Sequence, residues 1–342
     1  MTLVSRAYPS LAADEEVDGV RFVRLRGFNH TSSLPANLIL DFIWGLRVAV
    51  ALPEADAVIC NTISLPAWLP WFRRSTGRVA VLVGRNPKGQ IRFYGGVRRL
   101  YAPTAAVARR ISRESKSASL RTLIVGYPID WALLKGASRQ GKSPLRIGFV
   151  GRLHPEKGVQ MLLGAAELLS KCKNLPDWEL VLRGPVSVQD GGGGEEWLRD
   201  VEALCSADLR TRLKVLPPEF DRAMLADFYG TIDVFCYPSL SEDGETFGVA
   251  VAEAMASGCA VVVSCLDCFT DLVEDGRSGL TFDHKSASPE ARLAGCLELL
   301  ILDPERRRIL SARGQEHVRR FDFTEISSTI LKDISEFAGA GR

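Results

Sequence analysis

The sequence predicts an α/β protein built on two parallel sheets. Short apolar strands alternate with amphipathic helices along nearly the whole chain, which is typical of parallel sheets joined by right-handed crossovers. The length of 342 residues suits two domains. The composition also changes over residues 131–143, which become polar and are predicted to be a linker. Two sheets that divide near residue 140 would leave a cleft at the carboxyl ends of their strands, where ligands bind in this class.

Elements of the first half follow from local patterns. Residues 20–25 alternate apolar and basic side chains, as a half-exposed strand does. Residues 37–50 carry apolar side chains at helical spacing, and residues 8–18 are predicted to form a loop. The other predicted elements of this half are strands at 3–5, 57–60, 79–83, 100–102 and 122–125, and helices at 65–72 and 105–112.

The second half restarts with a strand at 145–150 and continues the same alternation. The helix at 158–171 carries an apolar face, and the glycine run at 190–194 predicts a flexible loop. Further strands are predicted at 179–182, 213–216, 232–237, 259–264 and 280–282, and further helices at 195–205, 222–229, 289–302, 304–320 and 324–337.

Composition excludes several classes of protein. A content of 46% hydrophobic and 25% charged residues is that of a globular protein. The apolar runs are far too short to span a bilayer, and the opening TLVSRAYP does not resemble a secretory leader. Eight cysteines scattered through predicted strands and helices are typical of reduced thiols, so a cytoplasmic location is expected.

Charge is distributed unevenly along the chain. Residues 1–140 hold 20 Lys+Arg and 9 Asp+Glu, a balance of +11, whereas the remainder holds 23 and 32, a balance of −9. The basic half indicates an anionic partner such as a phospholipid surface, a solvated face, or attraction between the two halves. The sequence contains no recognised nucleic-acid-binding module, so nucleic acid is not expected as a partner.

The stretch 238–258 joins two strands through a loop and an alanine-rich helix. If the helix begins near Phe247, Glu245 lies in the preceding loop and Glu253 lies about two turns into the helix. The N–H groups of residues 246–249 would then point out of the helix start and attract an anion. Two carboxylates beside an anion site suit a nucleotide sugar, although an ordinary capped helix would show the same residues.

A second candidate element, GRLHPEKG at 151–158, lies between a predicted strand and a helix. Gly151 permits a tight turn, and Arg152 and Lys157 place two cations over the next helix start, where they could bind a diphosphate. The spacing is not that of a Walker loop. A surface loop with two ordinary basic residues would have the same sequence.

These two elements resemble, in order and spacing, the retaining glycosyltransferases of the GT-B fold, family 4, also called glycosyl transferases group 1. The resemblance is specific over 141–342, where VLRGP at 181–185 and DGRSGLTF at 275–282 also match, and it is looser over 1–140. It implies an acceptor-side Rossmann-like domain at 1–140, a nucleotide-sugar-binding Rossmann-like domain at 141–320, and a helix at 321–342 that crosses back to the first domain. The family usually begins with a strand and a glycine-rich loop before the segment resembling TLVSRAYP, so the first domain is expected to lack its first strand.

The resemblance also assigns roles to residues. Arg152 and Lys157 would hold the donor diphosphate and stabilise the departing charge, Glu245 would touch the donor sugar, and Glu253 would accept hydrogen bonds from the ribose. Arg152, Lys157 and Glu245 are thereby the implied catalytic residues. The other implied donor-binding residues are Gly151, Arg183, Gly184, Thr246, Phe247, Gly248 and Val249.

Two departures from the family pattern concern single positions. The family often has a His after a middle strand of the first domain, and the comparable loop here reads GRNPKGQ, with Arg85, Asn86 and Lys88 as the available polar residues. The loop after Ser264 reads CLDCFTD, where Asp271 would stand in for the family's acid.

A metal is not expected at the transfer site. Cys265 and Cys268 form a lone CxxC, zinc needs about four ligands, and Cys259 and His284 are the nearby additions. Small buried residues are therefore the favoured interpretation of the two cysteines, and His154 is interpreted as a solvated residue of its loop.

The expected function is metal-independent, retaining hexosyl transfer from a UDP- or GDP-type sugar to an acceptor hydroxyl, without a cofactor. The acceptor is expected to be a cell-envelope glycan or a lipid-linked molecule, with peripheral contact to the anionic inner face of the cytoplasmic membrane. The alternative is a non-catalytic relative that binds a nucleotide sugar and has an incomplete N-terminal domain.

Overall fold

The structure, a computed structural model, describes residues 1–8, 10–29, 31, 33–73, 77–136 and 144–339. The chain forms two compact units, which we call the first unit (1–125 with 328–342) and the second unit (126–327). Residues 137–143 of the predicted linker lie outside the described residues, and residues 131–135, also predicted as linker, form a short helix.

Strands and helices alternate as predicted, and most boundaries agree within two residues. The strands are β1 (Thr2–Arg6), β2 (Asp14–Val17), β3 (Val20–Leu25), β4 (Ala57–Cys60), β5 (Arg78–Leu82), β6 (Arg99–Ala102), β7 (Thr122–Ile124), β8 (Leu145–Val150), β9 (Trp178–Arg183), β10 (Leu213–Leu216), β11 (Val234–Tyr237), β12 (Ala260–Ser264) and β13 (Leu280–Phe282). The α-helices are α1 (Leu34–Ala51), α2 (Leu65–Phe72), α3 (Ala105–Glu114), α4 (Lys116–Ser119), α5 (Trp131–Lys135), α6 (Val159–Ser170), α7 (Glu195–Ala203), α8 (Ala207–Arg212), α9 (Arg222–Gly230), α10 (Val249–Ala256), α11 (Pro289–Leu302), α12 (Pro304–Val318) and α13 (Phe323–Gly339).

The first unit contains a parallel sheet of order β4-β5-β6-β7 and a second sheet of order β1-β3-β2. Strand β2 pairs antiparallel with β3, so the prediction of a loop over 8–18 is wrong for its last part. The turn between them is Asp18-Gly19, and both residues have positive φ, at 50° and 76°. An Asp-Gly pair in that conformation is a favoured hairpin turn, and it is the signal in the sequence that identifies β2.

Helix α1 packs one face into the core of the first unit through Trp44, Val48 and Ala49. Its N-terminus is capped by Ser33, whose side chain accepts from the N–H of Ala36. The opposite face of the helix is also apolar, and it is exposed. Helix α1 therefore has more apolar surface than the first unit buries.

Helix α13 begins in the second unit, and its residues from Ser328 onward belong to the first unit. There Asp333, which is buried, accepts hydrogen bonds from Arg99 Nε and from the hydroxyl of Tyr101, each at 2.8 Å. These contacts join the end of the chain to strand β6. Tyr101 keeps its proton, because burial and the neighbouring carboxylate raise its pKa.

The second unit contains a six-stranded sheet of order β10-β9-β8-β11-β12-β13, and every pairing in it is parallel. Strands β11 and β12 are buried along their whole length, as expected for a sheet covered on both faces. Because all strands run the same way, the loops that follow them emerge at one edge of the sheet. That edge holds both elements singled out in the sequence.

Candidate functional site

Three neighbouring strands position the predicted site residues. Strand β8 lies between β9 and β11. The segment 151–158 follows β8, residues 183–184 end and follow β9, and residues 239–249 follow β11. The topology thus brings the three predicted segments to the same sheet edge.

The loops after β8 and β11 lie directly against each other. The N–H of Leu240 donates to the carbonyl of Glu156 at 2.8 Å, and the hydroxyl of Ser239 donates to the same carbonyl at 3.3 Å. Gly158 has φ of 71°, and a Cβ there would lie 1.9 Å from the carbonyl oxygen of Pro238. A glycine is therefore required at 158 for this contact, and the contact sets the position of the residue before it.

That preceding residue, Lys157, forms a buried ion pair with Glu245. Their side chains are only 9% and 8% exposed. The same Oε1 atom of Glu245 accepts hydrogen bonds from the hydroxyls of Tyr237 at 3.1 Å and Ser239 at 3.0 Å. Burial and the Glu245 carboxylate raise the pKa of Tyr237, so its hydroxyl remains a donor.

Arg152 occupies the more open side of the same loop. Its guanidinium is paired with Glu156 and donates to the carbonyl oxygen of Gly191 at 2.9 Å, within the predicted glycine loop. The side chain is 43% exposed, in contrast to Lys157. The two predicted cations therefore differ in kind: one is an exposed fork and the other a buried point charge.

Helix α10 begins at Val249, two residues later than predicted. Gly248 precedes it with φ of 93°, and a Cβ there would lie 2.6 Å from the ring of Phe269. Within the described residues the N–H groups of Gly248 and Val249 donate to no backbone or side-chain acceptor. Glu253 consequently lies one turn into the helix, closer to these donors than the predicted two turns.

Glu253 does not contact Lys157 or Glu245. One carboxylate oxygen accepts a hydrogen bond from the hydroxyl of Tyr229 at 3.0 Å. Burial raises the pKa of Glu253, and the Tyr229 hydrogen bond acts in the opposite direction. The site thus contains two separate carboxylates, one neutralised by a lysine and one held by a tyrosine.

Arg183 is engaged within the protein. Its guanidinium lies 4.4 Å from the ring centroid of Phe228 and 3.6 Å from a carboxylate oxygen of Glu219. The N–H of Gly184 donates to the carbonyl of Leu216 at 3.2 Å. These residues border the sheet edge, and no described contact joins them to Lys157, Glu245 or Glu253.

Sequence reasoning missed the tyrosines and the serine that hold the two carboxylates. Tyr237 ends strand β11, and Ser239 is two residues further on. Their position at the carboxyl end of a central strand is the signal that could have identified them. Tyr229 lies near the end of α9, and its proximity to Glu253 depends on tertiary packing that no local pattern reveals.

Three other predicted positions have clear placements. His154 is not merely solvated: its Nδ1 accepts from the N–H of Glu156 at 3.2 Å and so caps the short turn that carries Lys157. In the first unit, Asn86 is buried, whereas Arg85 and Lys88 are exposed. The backbone carbonyl of Asp271 accepts from Arg320 and lies 3.2 Å from His317 Nε2.

The sequence model of the family described as glycosyl transferases group 1 matches residues 144–301. Over these residues the chain belongs to that family. The matched range holds Arg152, Lys157, Glu245 and Glu253 together with the whole six-stranded sheet.

Individual relatives give the same result. A phosphatidyl-myo-inositol mannosyltransferase from Mycolicibacterium smegmatis is 35% identical over 214 residues, which cover 62% of this chain and 50% of that protein. The chain thus spans about half the length of this relative.

Solved structures show that the fold extends over the whole chain. A sucrose-phosphate synthase from Thermosynechococcus elongatus matches with a TM-score of 0.78 at 18% identity, over 99% of this chain and 89% of that one. The Anabaena protein Alr3699/HepE in complex with UDP and glucose matches with a TM-score of 0.69 at 18% identity, over 93% of this chain and 86% of that one. The predicted α/β class and GT-B fold are confirmed. Among the helices that the structure describes, none is both long and apolar enough to cross a membrane.

Proposed function

We propose that this chain is a retaining, metal-independent glycosyltransferase that moves a sugar from a nucleotide-diphosphate donor to an acceptor hydroxyl. The observation that carries the proposal is the buried Lys157–Glu245 pair at the carboxyl edge of a parallel sheet, with Arg152 at its open side. Family membership over 144–301 supports it, as does the presence of UDP in a structural neighbour.

The geometry supports a division of labour among the site residues. Arg152 and Lys157 hold the donor diphosphate and stabilise the negative charge that develops on it as the sugar leaves. Lys157 has three N–H donors, so it can contact a phosphate oxygen while keeping Glu245. Glu245 contacts the sugar, and Glu253 accepts hydrogen bonds from the ribose. In this proposal the two cations supply the charge stabilisation that a metal ion supplies in other transferases.

Retention of configuration fits an attack by the acceptor hydroxyl on the same face from which the nucleotide departs. Glu245 is the carboxylate nearest the proposed phosphate site, and it is already bound by a lysine and two hydroxyls. A carboxylate held in that way is suited to orienting a sugar hydroxyl rather than to forming a covalent bond with the sugar. The domains take the roles expected from the sequence: 141–320 binds the donor and 1–140 provides the acceptor side, and residues 321–342 cross back to it.

A glycolipid or lipid-linked acceptor is the acceptor class we propose. The relative from Mycolicibacterium smegmatis is named for phosphatidyl-myo-inositol, a polyol joined to lipid through a phosphate. A phosphorylated headgroup is anionic, and residues 1–140 carry the +11 charge. The donor is of the UDP or GDP type.

Transfer is tested by incubating the purified chain with UDP- and GDP-linked hexoses and a phosphoinositide acceptor, then measuring glycolipid by mass spectrometry. We expect product with one nucleotide class, and the same nucleoside diphosphate should bind in calorimetry. Glu245→Gln is expected to keep nucleotide binding and to lower turnover, because it removes the charge that faces the sugar. Nucleotide-sugar binding without turnover on any acceptor would favour the non-catalytic alternative, and absence of binding would contradict both.

Peripheral membrane contact is part of the proposal, and the exposed face of α1 supports it. The apolar stripe of this helix had two interpretations, a core face or a docking face, and its residues are 38–61% exposed. Trp71 and Phe72 at the end of α2 are 66% and 81% exposed. The residues of the stripe are Leu38, Ile39, Phe42, Ile43 and Leu46.

We expect the chain to sediment with vesicles of phosphatidylcholine and phosphatidylserine at low salt and to be released at high salt. Each basic residue near anionic lipid contributes about 1 kcal/mol, and this contribution is screened by ions. Ile39→Gln should weaken binding because it places an amide at the apolar face. Leu204→Gln, at a 76% exposed leucine of the second unit, is the matched control and should not. Failure to bind at low salt would favour a soluble acceptor.

A further inference from the structure

A mixed cluster of metal-ligating side chains lies at the carboxyl ends of β12 and β13. The two strands pair in parallel with Ser264 opposite Phe282, so the residues that follow each strand are neighbours. These residues are Cys265 on one side and Asp283 with His284 on the other. The N–H of Cys265 donates to the carbonyl of Phe282 at 3.0 Å, which fixes the pairing at the position where the cluster begins.

The ligand atoms converge. Cys265 Sγ lies 3.7 Å from His284 Nδ1 and 4.0 Å from Asp283 Oδ1, and the three ligand atoms are all within 4.8 Å of one another. A tetrahedral zinc ion with bonds of about 2.3 Å to sulfur and about 2.0–2.2 Å to nitrogen or oxygen separates its ligand atoms by about 3.3–3.6 Å. The cluster therefore needs only small side-chain adjustments to reach that geometry.

His284 carries the second, independent feature. Its side chain is only 6% exposed, and its Nε2 atom is buried without a hydrogen-bond partner in the described part of the chain. The nearest carboxylate oxygen, Glu242 Oε1, is 3.8 Å from Nε2, on the side of the ring away from Cys265. A metal on Nδ1 leaves the proton on Nε2 and directs it towards Glu242. A carboxylate in that place is the usual partner of a metal-binding histidine.

We propose that Cys265, Asp283 and His284 form a zinc-binding site, with Glu242 orienting the histidine. One thiolate, one imidazole and one carboxylate match the ligand preferences of zinc and leave a fourth position for water. Cys265 and Asp283 are exposed, so the ion and its fourth ligand reach solvent directly. Cys268, the other cysteine of the CxxC, is buried and is not among the ligands.

The site is separate from the proposed transfer chemistry, but one loop connects the two. Glu242 lies in the loop after β11, three residues before Glu245. Lys285 is paired with the same Glu242 carboxylate. Zinc at Cys265 would therefore add a fixed contact between the end of β13 and the loop that carries Glu245.

The proposal is tested by titrating the full chain with zinc chloride in competition with a chromophoric chelator. We expect one equivalent to bind, with affinity at least tenfold weaker in Cys265→Ser and in His284→Gln. Glu242→Gln should weaken binding about tenfold, the lower end of the usual effect of losing such a partner. Cys172→Ser is the matched control, because Cys172 is also exposed and lies far along the chain from the cluster. It should bind zinc like the unsubstituted chain.

A second readout needs no substitution. Zinc should protect Cys265 from alkylation, followed by peptide mass spectrometry, while Cys172 reacts at the same rate with and without the ion. Cobalt in place of zinc should give a thiolate charge-transfer absorption that Cys265→Ser abolishes. Lack of zinc uptake, uptake that survives both Cys265→Ser and His284→Gln, or unchanged alkylation of Cys265 would each overturn the proposal.

Discussion

Lys157→Ala is expected to remove most of the affinity for nucleoside diphosphates and to destabilise the folded protein. The substitution deletes a charge-assisted contact to the donor, worth about 1.5–3 kcal/mol. It also leaves the Glu245 carboxylate buried without its cation, for which the usual cost is about 3–5 kcal/mol. Tyr237 and Ser239 still donate to Glu245, so we expect the lower end of that range. Calorimetry with UDP, GDP and ADP, together with denaturant unfolding, measures the two effects.

The two effects can be separated by a double substitution. Lys157→Ala combined with Glu245→Gln removes both charges, so stability should recover while nucleotide affinity stays low. Lys171→Ala is the matched control, because Lys171 forms an exposed pair with Glu167 at 3.3 Å. Such pairs contribute at most about 1 kcal/mol. If the double variant were no more stable than Lys157→Ala, the ion pair would not be the source of the lost stability.

Arg152→Ala should have the opposite balance of effects. Its side chain is 43% exposed, and its pair with Glu156 is therefore screened, so the free energy of unfolding should change little. Affinity for the nucleoside diphosphate should nonetheless fall by about tenfold to a hundredfold, because a guanidinium fork suits a phosphate. Unchanged affinity in both Arg152→Ala and Lys157→Ala would exclude these residues from the donor site.

This contrast between the two cations also marks the limit of what the sequence could predict. Both belong to one short motif, GRLHPEKG, and a pattern of residue types gives them equal standing. Only the contact of Gly158 with Pro238 turns Lys157 inward, and that contact joins loops some 80 residues apart. The alternation of strands and helices was readable because it depends on local periodicity. The partner of a charged side chain depends on tertiary packing instead.

Two other differences have the same origin. Strand β2 was missed because its acidic sequence, DEEV, lacks an apolar pattern, although the following Asp-Gly turn was present. Helix α10 was placed two residues early because residues 247–248 belong to an apolar run without a capping side chain. Gly248, with positive φ, ends that loop and sets the helix start, so it also sets the depth of Glu253.

Glu253→Gln is expected to stabilise the free protein and to weaken ribonucleotide binding. Burial raises the pKa of Glu253 in the folded state, above its ordinary value of 4.5. A group with a raised folded pKa contributes stability that is fully present below the unfolded pKa and is lost as pH rises through the folded pKa. Glutamine does not ionise and can still accept from Tyr229. The stability difference in favour of the variant should therefore be small below pH 4.5 and should increase as the pH rises above it.

The same substitution should act on ligands with the opposite sign. A hydrogen bond to a charged acceptor contributes about 1.5–3 kcal/mol and one to a neutral acceptor about 0.5–1.5 kcal/mol, so affinity for ribonucleotides should fall by roughly tenfold. Affinity for the 2′-deoxy analogues should fall less, because they lack one ribose hydroxyl. Glu316→Gln, on an exposed face of α12, is the matched control and should change neither stability nor binding. Equal losses for ribo and deoxy ligands would contradict the assignment of Glu253 to the ribose, and a stability difference that did not depend on pH would contradict its burial as a charged group.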